Sequence, residues 1–189
     1  MPVMQFSYMA VGGGLGLLMI ARLKALGALV LTTASQADKQ RAAKAQGADH
    51  VIHYTACDFA EAVKAVFPQG IACVFDGIGK STFFKGLTCI QKKGTMVLYG
   101  NAGGAHPDPI APTLLTQMGS LTLKRPALYD YVATQAEFQN RMNELFLWYR
   151  RGDINLNDLT VVPIEEVAAL HKRLLGRQVV GKSVLQLPA

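Results

Sequence analysis

The chain has 189 residues, of which half are apolar and 17% charged, with a formal net charge of +6. That length holds one domain, or one domain with an appendage, and so few charges among so many apolar residues exclude a disordered chain. No apolar run reaches the ~20 residues of a membrane helix, and the start, Met1-Pro2-Val3-Met4-Gln5, lacks the basic region of a secretion signal, so a cytoplasmic location away from membranes is expected.

In chain order the elements alternate. Gln5–Val11 reads as a strand. Gly16–Leu26 reads as a helix, with Leu17, Ile20, Ala21 and Lys24 at helical spacing and Gly27 as its stop. Leu29–Thr33 is a short apolar strand, Ala37–Gln46 a helix stopped by Gly47, and Val51–Tyr54 a strand. Phe59–Val66 is a helix before Pro68-Gln69-Gly70, and Ala72–Asp76 an apolar strand ending at an acid and Gly77. Ser81–Gln91 reads as a helix and Thr95–Tyr99 as a strand ending at Gly100. Strands separated by helical stretches of about ten residues indicate βαβ units and a parallel sheet. Beyond Gly100 the rhythm loosens. Asn101–Pro112 is loop, Thr113–Met118 a short helix, Leu121–Lys124 a strand, and Thr134–Arg151 the longest helix. Thr160–Val162, a helix over Ile164–Leu175 and a strand over Lys182–Leu187 close the chain.

The chemistry concentrates at the first turn. Gly12-Gly13-Gly14-Leu15-Gly16 sits between an apolar strand and an apolar helix. A dinucleotide fold uses glycines there for the tight turn, for close approach of backbone to a pyrophosphate, and for helix–strand packing. Gly13 and Gly16 have the spacing of the second and third glycines, and Val11 stands where the first would be. Free N–H groups of Gly14, Leu15 and Gly16 at the helix start would face the phosphates. The end of the second strand then discriminates between cofactors. A carboxylate about 20 residues on would hold the ribose hydroxyls of NAD, but no acid occurs between Gly16 and Asp38. Ser35 and Lys39 instead offer a hydroxyl and a cation to a 2′-phosphate, so NADPH is favoured over NADH.

Other residue classes point away from competing chemistries. The odd cysteine count (Cys57, Cys73, Cys89), with no close pair, argues against a disulfide framework and a CxxC zinc site, and no metal is expected. Positive residues such as Arg22, Lys44, Lys92 and Arg150 are scattered, without an arginine-rich run, which disfavours nucleic acid. His50, His53, His106 and His171 form no evident pair with Ser or Cys, and no catalytic residue is assigned. Asp76 reads as a cap on the turn at Gly77.

The segments Ala10–Leu18, Lys24–Ala28, Gly47–Tyr54, Val74–Phe83, Gly94–Gly104, Leu123–Leu128 and Val179–Pro188, in this order and spacing, resemble the C-terminal part of the zinc-independent, zeta-crystallin-like quinone oxidoreductases, a branch of the medium-chain dehydrogenase/reductases. The resemblance implies an α/β, Rossmann-type doubly wound parallel sheet over residues 1–160. It implies a C-terminal helix and strand, 161–189, that would pack on a GroES-like catalytic barrel. That barrel has no counterpart here, so a truncated product, a fragment or a non-catalytic NADPH-binding module is the alternative to a full enzyme. Ala10, Gly13 and Gly16 match the family's AxxGxxG turn, Ser35 and Lys39 the 2′-phosphate contacts, and Tyr54 a tyrosine near the adenosine phosphate. Gly77 and Gly79 match the turn beside the ribose, Gly100 and Asn101 the loop facing the nicotinamide, and Lys182 a position that approaches the cofactor in some members. The implied activity is NADPH-dependent reduction of a quinone or enone, and the implied partner is a second copy joined through the edge strand Ser120–Lys124.

Overall fold

The computed structural model describes residues 5–9 and 14–188. Ala10 and Gly13, two of the three positions matched to the pyrophosphate turn, lie outside the described residues. Six strands form one parallel sheet: β1 (Gln5–Met9), β2 (Leu29–Ala34), β3 (His50–His53), β4 (Ile71–Asp76), β5 (Ile90–Leu98) and β6 (Thr122–Lys124). Their spatial order is β3-β2-β1-β4-β5-β6. Right-handed crossovers place α1 (Gly14–Ala25) and α2 (Ala37–Ala45) on one face, and α3 (Phe59–Val66) and α4 (Phe83–Leu87) on the other.

The two faces carry separate apolar clusters. Leu17, Ile20 and Leu23 of α1 pack with Val30 and Ala43. Phe59, Val63, Phe83 and Leu87 pack with Leu31, Val74 and Met96. Val30 and Leu31 therefore serve opposite faces, as the pleat of a strand requires. Strands covered on both sides read as continuous apolar runs, which is why β2 and β4 stood out in the sequence. At the N-terminus of α3 the Asp58 carboxylate accepts from the backbone N–H of Ala60 and Glu61 and pairs with Lys85 of α4 at 2.7 Å.

The boundary between α4 and β5 differs from the reading over Ser81–Gln91. The helix stops at Leu87, and the strand begins at Ile90 instead of Thr95. Tertiary pairing decides this. Ile90 is already in register with Ile71, while the next pair is Cys73 with Thr95, so residues between 91 and 94 bulge out of the ladder. Lys93 adopts φ 63° there and donates its N–H to the Gly119 carbonyl at 2.8 Å.

After β6 and a short α5 (Thr113–Gln117) that precedes it, the chain runs through α6 (Gln135–Arg150), β7 (Leu159–Pro163), α7 (Val167–Leu175) and β8 (Lys182–Gln186). A Thr134–Glu137 capping box starts α6, yet none of its residues is buried. β7 and β8 pair parallel as a separate two-stranded sheet. This C-terminal lobe is tied to the main body by polar contacts. The Gln46 amide exchanges hydrogen bonds with Asn155 at 2.9–3.0 Å and donates to Asp158 at 2.9 Å. Arg22 pairs with Asp153 at 2.8 Å and lies over the Trp148 ring.

Phe83 is 2% exposed and joins α4 to the strand core. Its truncation, Phe83→Ala, is expected to destabilise by about 3–5 kcal/mol, read as a shifted midpoint in urea unfolding.

Candidate dinucleotide site

Strand order reverses between β1 and β4. From β1 the chain leaves to α1 on one face, and from β4 it leaves to α4 on the other, so the two connections part and leave a crevice at the carboxyl edge. One wall is the first turn of α1, where Gly14 is half-buried, Leu15 exposed and Gly16 buried. A 12-residue helix presents its positive dipole end at that wall.

The other wall is the turn after β4. Asp76 is fully buried at the strand's last position. Its Oδ1 accepts from the N–H of Ile78 at 2.8 Å and of Gly79 at 3.1 Å, and the Thr82 hydroxyl donates to both carboxylate oxygens. Asp76 thus caps the turn, as the sequence reading expects, with its acceptors engaged by Ile78, Gly79 and Thr82. Gly79 has φ +97°, and a Cβ there would meet the Ala105 carbonyl at 2.9 Å. Gly77 and Gly100 lie against each other: a Cβ on Gly100 would come within 2.9 Å of the Gly77 carbonyl, and one on Gly77 would strike the Tyr99 ring. Ala102 and Gly103 donate to the Gly77 and Ile78 carbonyls. The loop carrying Gly100 and Asn101 is therefore laced onto the Gly77–Gly79 turn. The glycines are required because two backbones touch, and the doubled loop forms one firm wall.

The end of β2 is the third component. Thr33 and Ala34 are buried, Ser35 is half-buried, and no carboxylate stands at the strand end. The nearest acid, Asp38, accepts from the Lys39 N–H at 2.7 Å. The neighbouring end of β3 adds His53, whose Nε2 is 2.9 Å from the Ser35 carbonyl and 2.9 Å from Thr55 Oγ1, and Tyr54, which is exposed. Lys39 is only 7% exposed and its ammonium donates to the backbone carbonyl of Arg177 at 2.6 Å. Arg177 holds a left-handed φ of 57° in the turn after α7. Sequence reasoning missed Arg177. Its signal is faint: a basic residue just past the end of the helix over Ile164–Leu175. Lys182 sits beside the first wall, its Cβ and Cδ filling the space where a Cβ on Gly14 would stand. A pocket of about 400 Å³ opens between Gly14, α7 and β8, lined by Leu170, Leu174, His171 and Lys182.

These groups suit a dinucleotide bearing a 2′-phosphate. The first turn of α1 starts a helix of 12 residues, the glycine turns let backbones come close, and the end of β2 carries no carboxylate that would repel a phosphate. Acid–base or nucleophilic machinery is not assembled beside them. The thiols of Cys73 and Cys89 are pushed up to about 11 by burial, so neither is a thiolate at neutral pH. His50 stacks edge-on against Phe67. Among the described residues no three His, Cys, Asp or Glu side chains are grouped to hold a metal ion. Cys57, unlike Cys73 and Cys89, is exposed.

Burial pushes the Asp76 carboxyl above its ordinary range, and the three donors only partly pull it back. The folded state therefore holds the proton more tightly than the unfolded chain, and Asp76 favours folding most below about pH 4. That contribution declines as pH rises through the elevated folded value. Asp76→Ala is expected to leave buried donors unpaired and cost about 1–3 kcal/mol. Asp76→Asn, which keeps an acceptor for the turn, is expected to cost less at neutral pH. The stability advantage of the wild type over Asp76→Asn is expected to grow as pH falls from 7 to 4, which thermal melts across that range measure.

Comparison with known proteins places this geometry. The family of zinc-binding dehydrogenases matches residues 14–148, well over half of the chain. A 2-haloacrylate reductase of Burkholderia sp is 36% identical over 178 residues, covering 93% of this chain and 53% of that protein. Quinone oxidoreductase 1 of Escherichia coli (strain K12) is 34% identical over 187 residues, covering 97% and 57% respectively. The solved structure of the Escherichia coli quinone oxidoreductase complexed with NADPH superposes with a TM-score of 0.87 at 32% identity, over 97% of this chain and 57% of that one. The chain thus spans about half the length of the curated relatives it matches. It belongs to the zinc-binding dehydrogenase family, and within that family it corresponds to the cofactor-binding part of the quinone oxidoreductases.

Proposed function

We propose that this chain binds NADPH and serves as the cofactor-holding part of a reductase acting on quinones or enones. The observation that supports the reading is the acid-free end of β2, which Ser35 and Lys39 follow in the chain, together with the strand reversal between β1 and β4. The Escherichia coli relative of similar fold was solved with NADPH, which supports the same reading.

On this reading Gly13, Gly14, Leu15 and Gly16 hold the pyrophosphate through backbone N–H groups. Ser35 and Lys39 take the 2′-phosphate, and Tyr54 flanks the adenosine. The wall made by Gly77, Gly79, Gly100 and Asn101 limits the ribose and nicotinamide side, and Lys182 approaches the diphosphate from β8. Bound NADPH supplies a hydride. The protein's task is to fix the orientation of the cofactor against an electron-poor carbon, and a quinone takes its protons from solvent. The lack of an assembled acid–base pair at the crevice is compatible with that division of labour. Residues 1–160 then form the dinucleotide-binding body. Residues 161–189, with Val161, Leu174, Leu175 and Leu187 exposed, form the segment that turns toward a catalytic wall.

A second reading, a non-catalytic NADPH-binding module or a fragment without turnover, is favoured by the chain's spanning about half of its relatives. One measurement tests the cofactor assignment and a second separates the readings. Calorimetric titration is expected to show 2′-phospho-ADP-ribose binding more tightly than ADP-ribose. Lys39→Ala is expected to remove about 10- to 100-fold of that preference, the value of a charge-assisted hydrogen bond. Equal binding of the two ligands by the wild type would refute the NADPH assignment. Oxidation of NADPH by a simple benzoquinone would establish turnover, and tight binding without oxidation would select the module.

We also propose a homodimer through Ser120–Lys124. β6 pairs only with β5 and leaves its outer edge open, a ready template for a twin strand. Sedimentation velocity is expected to show a dimer that Leu123→Pro converts to monomer, because proline removes a ladder donor. A wild-type monomer at high concentration would reject this pairing.

A further inference from the structure

The C-terminal lobe is an unusual attachment. Outward apolar residues such as Leu175 and Leu187 stay exposed, while Val180 packs against the α1 cluster and Ile154, Val162 and Leu170 are buried. Polar links do the fastening at both ends of α2. At the C-terminal end Gln46, 8% exposed, binds Asn155 and Asp158. At the N-terminal end Lys39, 7% exposed, gives its ammonium to the Arg177 carbonyl. That carbonyl faces Lys39 because Arg177 holds a left-handed backbone, a conformation that costs energy for a residue with a Cβ. The turn is closed by the Arg177 and Gln178 N–H groups on the Leu174 and Arg173 carbonyls.

We propose that Lys39 is a shared fastener, coupling occupancy of the 2′-phosphate position to docking of the C-terminal lobe. The inference rests on the NADPH reading above, since it needs a phosphate at Lys39. An ammonium has three N–H donors, and the Arg177 carbonyl takes one. A phosphate takes others without displacing it. Holding a lysine in one rotamer costs conformational entropy. Whichever partner arrives first, lobe or phosphate, meets most of that cost, and the second binds to a side chain already in place. The coupling is reciprocal: the phosphate tightens the lobe, and a docked lobe raises affinity for the phosphate by the same factor. The dephosphorylated ligand lacks the group that meets Lys39 and reaches the lobe only through Lys182 at the diphosphate, so the coupling is the difference between the two ligands.

Amide hydrogen exchange at Thr160–Val162 of β7, which pair with Ser183–Leu185 and not with Lys182, reads the lobe. Saturating 2′-phospho-ADP-ribose is expected to slow exchange there by roughly fivefold or more beyond the effect of saturating ADP-ribose. Lys39→Met is expected to abolish the difference. Gln46→Ala, or Asn155→Ala should the first misfold, loosens the lobe at the other end of α2. Either is expected to weaken 2′-phospho-ADP-ribose several-fold more than ADP-ribose. If calorimetry shows no binding of the phosphorylated ligand, the NADPH reading fails and this proposal with it. If that ligand binds preferentially but β7 exchange is the same with both ligands, or the Gln46 variant weakens both ligands equally, the coupling is overturned and the NADPH reading stands.

Discussion

The pairing of β1 with β4 at the centre of the sheet governs the rest. Phe6 through Met9 run in register with Cys73 through Asp76, although the segments are separated by two complete strand–helix units. Closing that distance reverses the strand order, sends α1 and α4 to opposite faces, and opens the carboxyl edge between them. Asp76, at the last rung of this pairing, holds the turn that follows through buried hydrogen bonds. The wall of the crevice is thus an extension of the central ladder and is as firmly set as the core.

Two kinds of adhesion divide the molecule. The sheet and α1 to α4 are held by apolar clusters on both faces, with Ile20, Val30, Leu31 and Met96 fully enclosed. The C-terminal lobe is held by Gln46, Arg22 and Lys39, each reaching a specific acceptor. Apolar packing is non-directional and strong in sum, whereas buried polar contacts are directional and depend on each partner being present. A lobe attached in the second way can respond to a charged ligand that arrives at one of its fasteners. The same feature leaves apolar side chains of α6 and β8 at the surface, where a neighbouring body could cover them.

Much of the fold was legible in the sequence because the strands are covered on both faces and therefore read as short apolar runs between capped helices. Phe59–Val66 agrees to the residue, and β2, β4 and β8 agree within one. The error at α4 and β5 has a plain cause. Residues 88–91 carry no periodicity that separates a helix end from a strand start, and the register of Ile90 with Ile71 is a long-range fact. Asp76 was legible as a cap because an acid followed by glycine at a strand end has few other uses.

The sequence by itself determined the alternation of strands and helices, the position of the glycine turn, and the absence of an acid at the end of β2. Those are local properties, written in residue type and spacing. Tertiary structure alone decided that Gly77 and Gly100 press together, that Gln46 spans to Asn155 and Asp158, and that Lys39 meets the carbonyl of Arg177. Those contacts join residues 23 to 138 positions apart, and no local periodicity encodes which backbone oxygen a lysine will find once the sheet has closed.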